Sequence, residues 1–433
     1  MKLETKILGG IGLGLLVLVA LVLAAGRVER EVAPELVVPY TSAVKGFDPV
    51  QSSDVYSSRV VALVYEPLYQ YHYLKRPMTV VPCLATGMPS YSDDGLTWTI
   101  KLDTRARFVD DACFADGKGR PVTARDVVYS LKRLANQKFE THGYWTLKGK
   151  IKGLDDYYNT SGTLSREAAL DPAFTRHTAV EGLVAVDDRT VRLTLVEPYP
   201  QLIYILTMTY TMVVPHEAVE HYGAEFVNHP VGTGPYRLAS WRRKFELSFT
   251  KNPGYREMHY PVEGEPGDRE AGLLDDAGKR LPVCPAVRYV YYGQPQTAWL
   301  QFLRHNTDFS TISESDFSSV VDAIRTDLKP EYARRGIELV TYPYPQTSYV
   351  AFNNTDPLLG WPAGDKGRKL RQAMSMAIDR ERIIEIQRNN RAVPARGPIP
   401  PGFQGYRGTG QNPSSTYDPE RAVELLESIG VTR

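Results

Sequence analysis

The sequence predicts a mixed α+β protein of two or three domains, and three observations lead to that class. The chain has 433 residues, 42% of them hydrophobic, which is enough for several sizeable cores. Period-2 alternation puts Leu96, Trp98, Ile100 and Leu102 on one face behind an Asp94-Gly95 turn, and Val191, Leu193 and Leu195 repeat it. Between them Val127, Val128, Leu131 and Leu134 recur at helical spacing, with the Thr123 hydroxyl placed three residues before Asp126 as a helix cap.

The remaining elements follow in chain order. Residues 27–35 are charged, contain Pro34 and read as a short tether, and Leu36-Val37-Val38 is a first strand. Ser52-Ser53-Asp54 is a loop, and residues 60–68 form a helix stopped near Pro67. Residues 236–249 form a hairpin, with Leu238, Phe245, Leu247 and Phe249 on one side of a turn at 240–244. Residues 262–282, rich in Gly, Asp and Glu, form a solvated surface loop. A strand at 287–292, a helix at 297–305 and strands at 337–341 and 349–352 come next. A helix over 370–378 turns Leu370, Ala373, Met374, Ala377 and Ile378 inward, and Asp379 caps its successor. Asp418-Pro419 opens a last helix that buries Leu425, Leu426 and Ile429 and stops at Gly430. No internal repeat occurs.

Charge and cysteine usage exclude several classes. Lys plus Arg total 51 against 50 Asp plus Glu, so no global field favours nucleic acid or an anionic surface. The 27 tyrosines offer flat apolar area with a hydroxyl, which suits a mixed polar and apolar cleft and equally suits half-buried strands. Cys83, Cys113 and Cys284 are too few for a disulfide framework or a four-ligand zinc site; an oxidising compartment would permit one bridge, with Cys83 and Cys113 the nearer pair. Residues 7–25 are an unbroken apolar and glycine run behind Lys2 and Lys6, close to the ~20 residues that span a bilayer. Residues 1–30 are therefore a signal-anchor or a cleaved signal peptide. Arg27 stands after Gly26 where lipidation needs a cysteine, so a lipoprotein is excluded.

Catalytic constellations are weak. His216 and His221 stand five apart, roughly 140° around a helix, and cannot share a face as a zinc-protease pair must. Ser42-Ala43-Val44-Lys45 matches the S-x-x-K of penicillin-recognising acylases, but Gly46 and Pro49 break the helix that motif requires. Gly10-Ile11-Gly12-Leu13-Gly14 lies inside the apolar run, and Asp93-Asp94 and Asp110-Asp111 read as turn residues. No cofactor and no metal is expected, and binding is favoured over turnover.

The most informative segment is Asn228-His229-Pro230-Val231-Gly232-Thr233-Gly234-Pro235-Tyr236, which closes at Lys251-Asn252-Pro253-Gly254-Tyr255. Gly232 and Gly234 allow positive φ and close backbone approach, against a ligand or a hinge. With Ser92-Asp93-Asp94-Gly95-Leu96-Thr97-Trp98, Arg120-Pro121-Val122-Thr123-Ala124-Arg125-Asp126 and Leu370-Arg371-Gln372-Ala373-Met374, it resembles the bacterial extracellular solute-binding proteins of the oligopeptide, dipeptide and nickel group. The resemblance runs from about Phe47 to the last residue.

That resemblance implies an α+β, periplasmic-binding-protein-like type II bilobal fold with an extra inserted domain. Domain I would comprise 31–72 and 207–293, the inserted domain II 73–206, and 294–433 the first part of a third. Family members continue past Tyr417-Asp418-Pro419-Glu420-Arg421-Ala422, so the third domain is expected to be incomplete, without the Trp- and Asp-containing segment that grips ligand. The implied partners are a peptide or small-solute ligand and the permease subunits of an ATP-binding-cassette importer, met outside the cytoplasmic membrane by a monomer with no role for nucleic acid. Ser53, Asp54, Val55 and Tyr56, after Phe47-Asp48-Pro49, match the loop that pairs its backbone with the ligand main chain; the other reading is a surface loop with a self-capping Asp. Tyr144 and Trp145 match aromatics facing ligand, with core packing the alternative for Trp145, and Tyr291, Tyr292 and Gln296 fall where domains I and III meet. An envelope enzyme of the serine acylase or hydrolase type, and a non-transporting peptide sensor or chaperone, are the other readings.

Overall fold

The computed structural model describes residues 35–322, 327–341, 345–403, 405–406 and 416–431. The apolar run at 7–25 and the tether ending at Pro34 lie outside the described residues.

Two four-stranded sheets organise the chain. The first has the order β1-β10-β9-β8, built from β1 (Glu35–Tyr40), β8 (Tyr236–Arg242), β9 (Glu246–Lys251) and β10 (Ala286–Tyr291). β1 runs parallel to β10, with Glu35 opposite Ala286 and Tyr40 opposite Tyr291, while the other pairs are antiparallel. The second sheet, of order β4-β5-β7-β6, is antiparallel throughout and lies between residues 90 and 194. It contains β4 (Ser90–Tyr91), β5 (Thr97–Lys101), β6 (Leu183–Ala185) and β7 (Thr190–Thr194). A short ribbon of β2 (Tyr69–Tyr71) and β3 (Val80–Pro82) joins the two regions.

The alternation read from sequence is real. Trp98 faces Leu193 and Ile100 faces Val191, and all four are buried, because every second side chain of a half-buried strand meets the core. Helix α1 (Val55–Val64) packs near β8, and α2 (Ala124–Leu134) lies across β6 and β7. At the start of α2 the Asp126 carboxylate accepts from the Thr123 N–H at 2.8 Å, completing the expected cap. Further on come α3 (Pro172–His177), α4 (His216–Tyr222), α5 (Pro295–Leu303), α6 (Gly364–Met376), α7 (Arg380–Arg388) and α8 (Pro419–Glu427). Asp379 and Asp418 cap α7 and α8 as expected, and Gly430, at φ +79°, stands beyond the end of α8.

Several expectations are corrected. The first helix starts at Val55 rather than 60 and ends at Val64, because Asp54 caps it through the Ser57 N–H and hydroxyl, both at 2.8 Å. Phe245 is 53% exposed: Lys244 adopts φ +54° in the turn, alternation breaks, and the ring lies 4.0 Å from the Arg242 guanidinium instead of in the core. The loop at 262–282 is anchored rather than freely solvated, since Asp268 is buried against Arg76 and Leu274 is buried too. Residues 337–341 and 349–352 are not strands among the described residues; Val340, Tyr349 and Val350 are exposed, and their backbone finds no ladder partner there. In α6 Ala373 packs against Ala422 and Leu425 of α8 and Gly367 is buried against residues 358–363, whereas Met374 and Ala377 face solvent and Leu426 and Ile429 are half-buried. Cys83 and Cys113 are not bridged: Cys83 is buried with its thiol 3.6 Å from Glu66, and Cys113 is held near Asp111 with its thiol pushed up by burial.

One buried cation makes a pH signature. Lys132 of α2 donates to the carbonyls of Arg176 at 3.1 Å and Thr178 at 2.9 Å, at the end of α3, and burial lowers its pKa from 10.5 to about 8. The folded pKa lies below the unfolded one, so between pH 8 and 10.5 the unfolded chain binds more protons and this group's contribution to stability rises with pH. Denaturation of wild type and Lys132→Met across that range should show a rise in wild type that the variant lacks; parallel curves refute it.

Candidate functional site

β1 and β10 end side by side at Tyr40 and Tyr291. In open sheets, the crevice outside the carboxyl ends of parallel strands is where ligands bind, because the loops there are free to diverge. The chain after β1 leads through residues 41–54 into the first turn of α1, and the chain after β10 leads through Tyr292 into α5. Ser53, Asp54, Val55, Tyr56, Tyr291 and Tyr292 are therefore delivered to one end of the sheet.

An aromatic cluster forms there. The Tyr40 ring meets Tyr291 at 5.2 Å, Tyr56 at 6.3 Å and Tyr289 at 6.3 Å, and Tyr56 shares a 2.9 Å hydrogen bond with the Thr41 hydroxyl. The Arg59 guanidinium, one turn along α1, stands 6.0 Å from the Tyr56 ring. Burial, then the neighbouring Tyr291, pushes the Tyr40 phenol up to about 12, so it stays a neutral donor at any physiological pH. Tyr292 is fixed by its N–H to the Tyr40 carbonyl at 2.8 Å. Ser53 and Val55 are exposed, and each Asp54 oxygen accepts one bond from Ser57, with Lys45 at 3.9 Å. Gln296 is exposed on the first turn of α5, 3.4 Å from the Ser315 hydroxyl, and no contact joins it to the tyrosine cluster among the described residues.

The inserted region supplies a flank. Its His142 N–H donates to the Val50 carbonyl at 3.0 Å and the Gln51 amide donates to the Phe139 carbonyl at 2.9 Å, so residues 139–142 border the loop before Ser53. Tyr144 is buried, stacked on Tyr158 at 3.9 Å, with its hydroxyl donated to Asp155. Trp145 is 69% exposed, so the core-packing alternative for it is not observed.

Two buried networks hold these segments and were not legible in the sequence. Arg133 of α2 makes a bidentate pair with Asp48, at 3.1 and 2.7 Å, with its guanidinium between the Phe139 and Phe226 rings at 4.5 and 5.2 Å. Asp48 also caps the turn Pro49–Gln51. Glu66 accepts from Thr233 at 2.8 Å, Tyr255 at 3.1 Å and Arg256 at 2.6 Å, and Arg256 donates onward to the Cys83 carbonyl at 2.9 Å. Here the Gly-Thr-Gly-Pro segment finds its role. Gly232 and Gly234 do not use positive φ; a Cβ on Gly232 would lie 2.0 Å from the Val64 carbonyl oxygen, so both glycines serve close approach to the end of α1.

Catalytic and metal readings lose their geometry. Asp126, His216 and Glu217 present ligand atoms within 4.8 Å of one another, but Arg120 donates to Asp126 at 2.6 and 2.7 Å and to Glu217 at 2.6 and 2.7 Å, filling the place a cation would take. Against the opposing effect of burial, those bonds hold the Glu217 carboxyl below its usual range. Ser42 and Lys45 are not on a helical turn, and the Lys45 N–H instead donates to the Ser57 hydroxyl at 3.1 Å.

The chain is similar to known proteins in sequence and fold. The chain is 27% identical over 403 residues to the glutathione-binding protein GsiB of Salmonella typhimurium, covering 92% of this chain, and spans 62% of that relative's length. Among solved structures, the Escherichia coli murein tripeptide binding protein MppA matches with TM-score 0.64 at 22% identity, over 92% of this chain and 67% of that one. Burkholderia pseudomallei OppA matches with TM-score 0.61 at 20% identity, over 92% and 67%. The mixed α/β fold is thus that of the type II periplasmic binding proteins. The model for bacterial extracellular solute-binding proteins, family 5, matches residues 79–433, and the chain belongs to that family.

Proposed function

We propose that this chain serves as the substrate-binding component of an ATP-binding-cassette importer, capturing peptides or similar small solutes and delivering them to membrane permease subunits. The observation that carries the reading is the meeting of Tyr56, from the Ser53–Tyr56 loop, with the Tyr40 and Tyr291 cluster at the carboxyl ends of β1 and β10. It is supported by family membership and by relatives named for glutathione and for murein tripeptide. Backbone of the Ser53 loop would pair with the ligand main chain, with Tyr56, Trp145, Tyr291 and Tyr292 packing on it, Tyr144 holding Trp145 in place and Gln296 on the far rim. No covalent step is involved, and hinge closure does the work.

The domain reading is part of the proposal: domain I at 31–72 and 207–293, domain II at 73–206, and 294–433 the first part of a third. The parallel β1–β10 pair and a second sheet contained within 90–194 support it. The protein would act outside the cytoplasmic membrane, as a monomer. Among the described residues no helix is long and apolar enough to cross a membrane.

Calorimetry with short peptides tests capture, and Asp54→Asn sharpens it. Each Asp54 oxygen keeps a lone pair for a ligand ammonium, and Asn caps a helix about as well as Asp. The variant should keep wild-type stability while losing roughly tenfold in affinity for a free-amine peptide and much less for its N-acetylated form. Equal losses for the two peptides would leave Asp54 as a cap alone. Absence of binding by any peptide or by glutathione, with wild-type protein folded, rejects the reading.

A further inference from the structure

Beside the Ser53 loop lies a cavity of 160 Å³ lined by Lys45, Gln51, Ser52, Ser57, Glu140 and His142, with Asp48 at its wall. It is too small for a whole peptide, since pockets for drug-sized ligands hold roughly 300–1,000 Å³. At about 30 Å³ per liquid water it holds the equivalent of about five, the scale of one polar side chain.

Charge accounting decides which side chain. Asp48 is neutralised by the buried Arg133, and Glu140 is paired at 3.0 Å with Arg166. Asp54 already accepts twice from Ser57 and stands 3.9 Å from Lys45, the outer edge of an ion pair. The Lys45 side chain is 70% exposed, so its ammonium is the least compensated charge on the wall. Ser52, whose hydroxyl shares a 3.1 Å hydrogen bond with Ser58, and His142 add polar side chains to the wall. Burying an anion requires a cation and hydrogen-bond donors, and the cavity offers both.

We propose that this cavity is a specificity pocket for the carboxylate side chain of an acidic residue at the amino end of a bound peptide, with Lys45 the residue that selects it. The inference rests on the peptide-binding reading above and adds to it the charge of the ligand. Asp54 and Lys45, lying close together, would then face the ammonium and the side-chain carboxylate of the same ligand residue.

Calorimetry of the protein with Glu-Ala-Ala, Gln-Ala-Ala and Lys-Ala-Ala tests this. The Glu peptide should bind at least tenfold more tightly than its Gln isostere, and Lys-Ala-Ala most weakly. In Lys45→Met the Glu/Gln ratio should fall to about one, and in Lys45→Glu the order should invert in favour of Lys-Ala-Ala. Lys45 is largely exposed, and thermal melts of both variants check that they fold. If the peptides bind with no charge preference, or the preference survives Lys45→Met, the pocket assignment is overturned while peptide capture stands. If none of the three binds folded wild type, the peptide reading falls and the assignment with it.

Discussion

Arg133→Met should lower the free energy of unfolding by about 3–5 kcal/mol, because removing one member of a buried ion pair leaves the other charged and unpaired. Both partners are almost wholly inaccessible, and among the described residues the Asp48 carboxylate would retain its turn-capping bond to Val50 at 3.3 Å alone. The double variant Asp48→Leu, Arg133→Met should recover much of the loss, since a well-packed apolar pair often matches the ion pair it replaces. Urea denaturation followed by tryptophan fluorescence reads both. A loss under about 1 kcal/mol for the single variant would mean that water reaches Asp48, and the buried-pair account would be wrong.

Gly232→Ala is the second large effect. The new methyl carbon would lie 2.0 Å from the Val64 carbonyl oxygen and 2.8 Å from the Tyr65 ring. Neither neighbour can yield cheaply, because Val64 closes α1 and its carbonyl accepts the Gly234 N–H at 2.8 Å. A loss of about 3 kcal/mol or more is expected. Gly87→Ala is the control: nothing lies within 4 Å of its added carbon and its φ is not left-handed, so a change within about 0.5 kcal/mol is expected. Similar losses for the two variants would sink the argument. Because α1 carries Tyr56 at its other end, any surviving Gly232→Ala protein should also bind ligand more weakly.

These cases show what the sequence carries and where it stops. β5, β7 and α2 were legible because their periods are written in consecutive residues, and the Thr123 cap because its partner is three positions away. Asp48 and Arg133 were not paired in advance, since 85 positions separate them and neither looks unusual in its own segment. Residues 337–341 and 349–352 show the opposite failure: alternation states which side chains share a face but not whether a partner strand exists. At Gly232 the sequence marked the spot and left the cause open between positive φ and close contact, and only the position of Val64 decides it. In the candidate site, Ser53 to Tyr56 and Tyr291 to Tyr292 are singled out by resemblance, and the structure brings Tyr56 and Tyr291 to the same Tyr40 ring. The cavity beside Lys45 was not, since its walls come from chain segments far apart in order.

The parallel seam between β1 and β10 also sets a timetable for synthesis. β1 begins at residue 35, but its partner begins at residue 286. At about 5–20 residues per second, the ribosome leaves that strand unpartnered for on the order of 10–50 s. The sheet between residues 90 and 194 needs only sequence already made, so it can fold while the first strand waits. Until the seam closes, the unpaired backbone of that strand is open to pairing with other chains, so the long loop between the two partners carries an aggregation risk during synthesis.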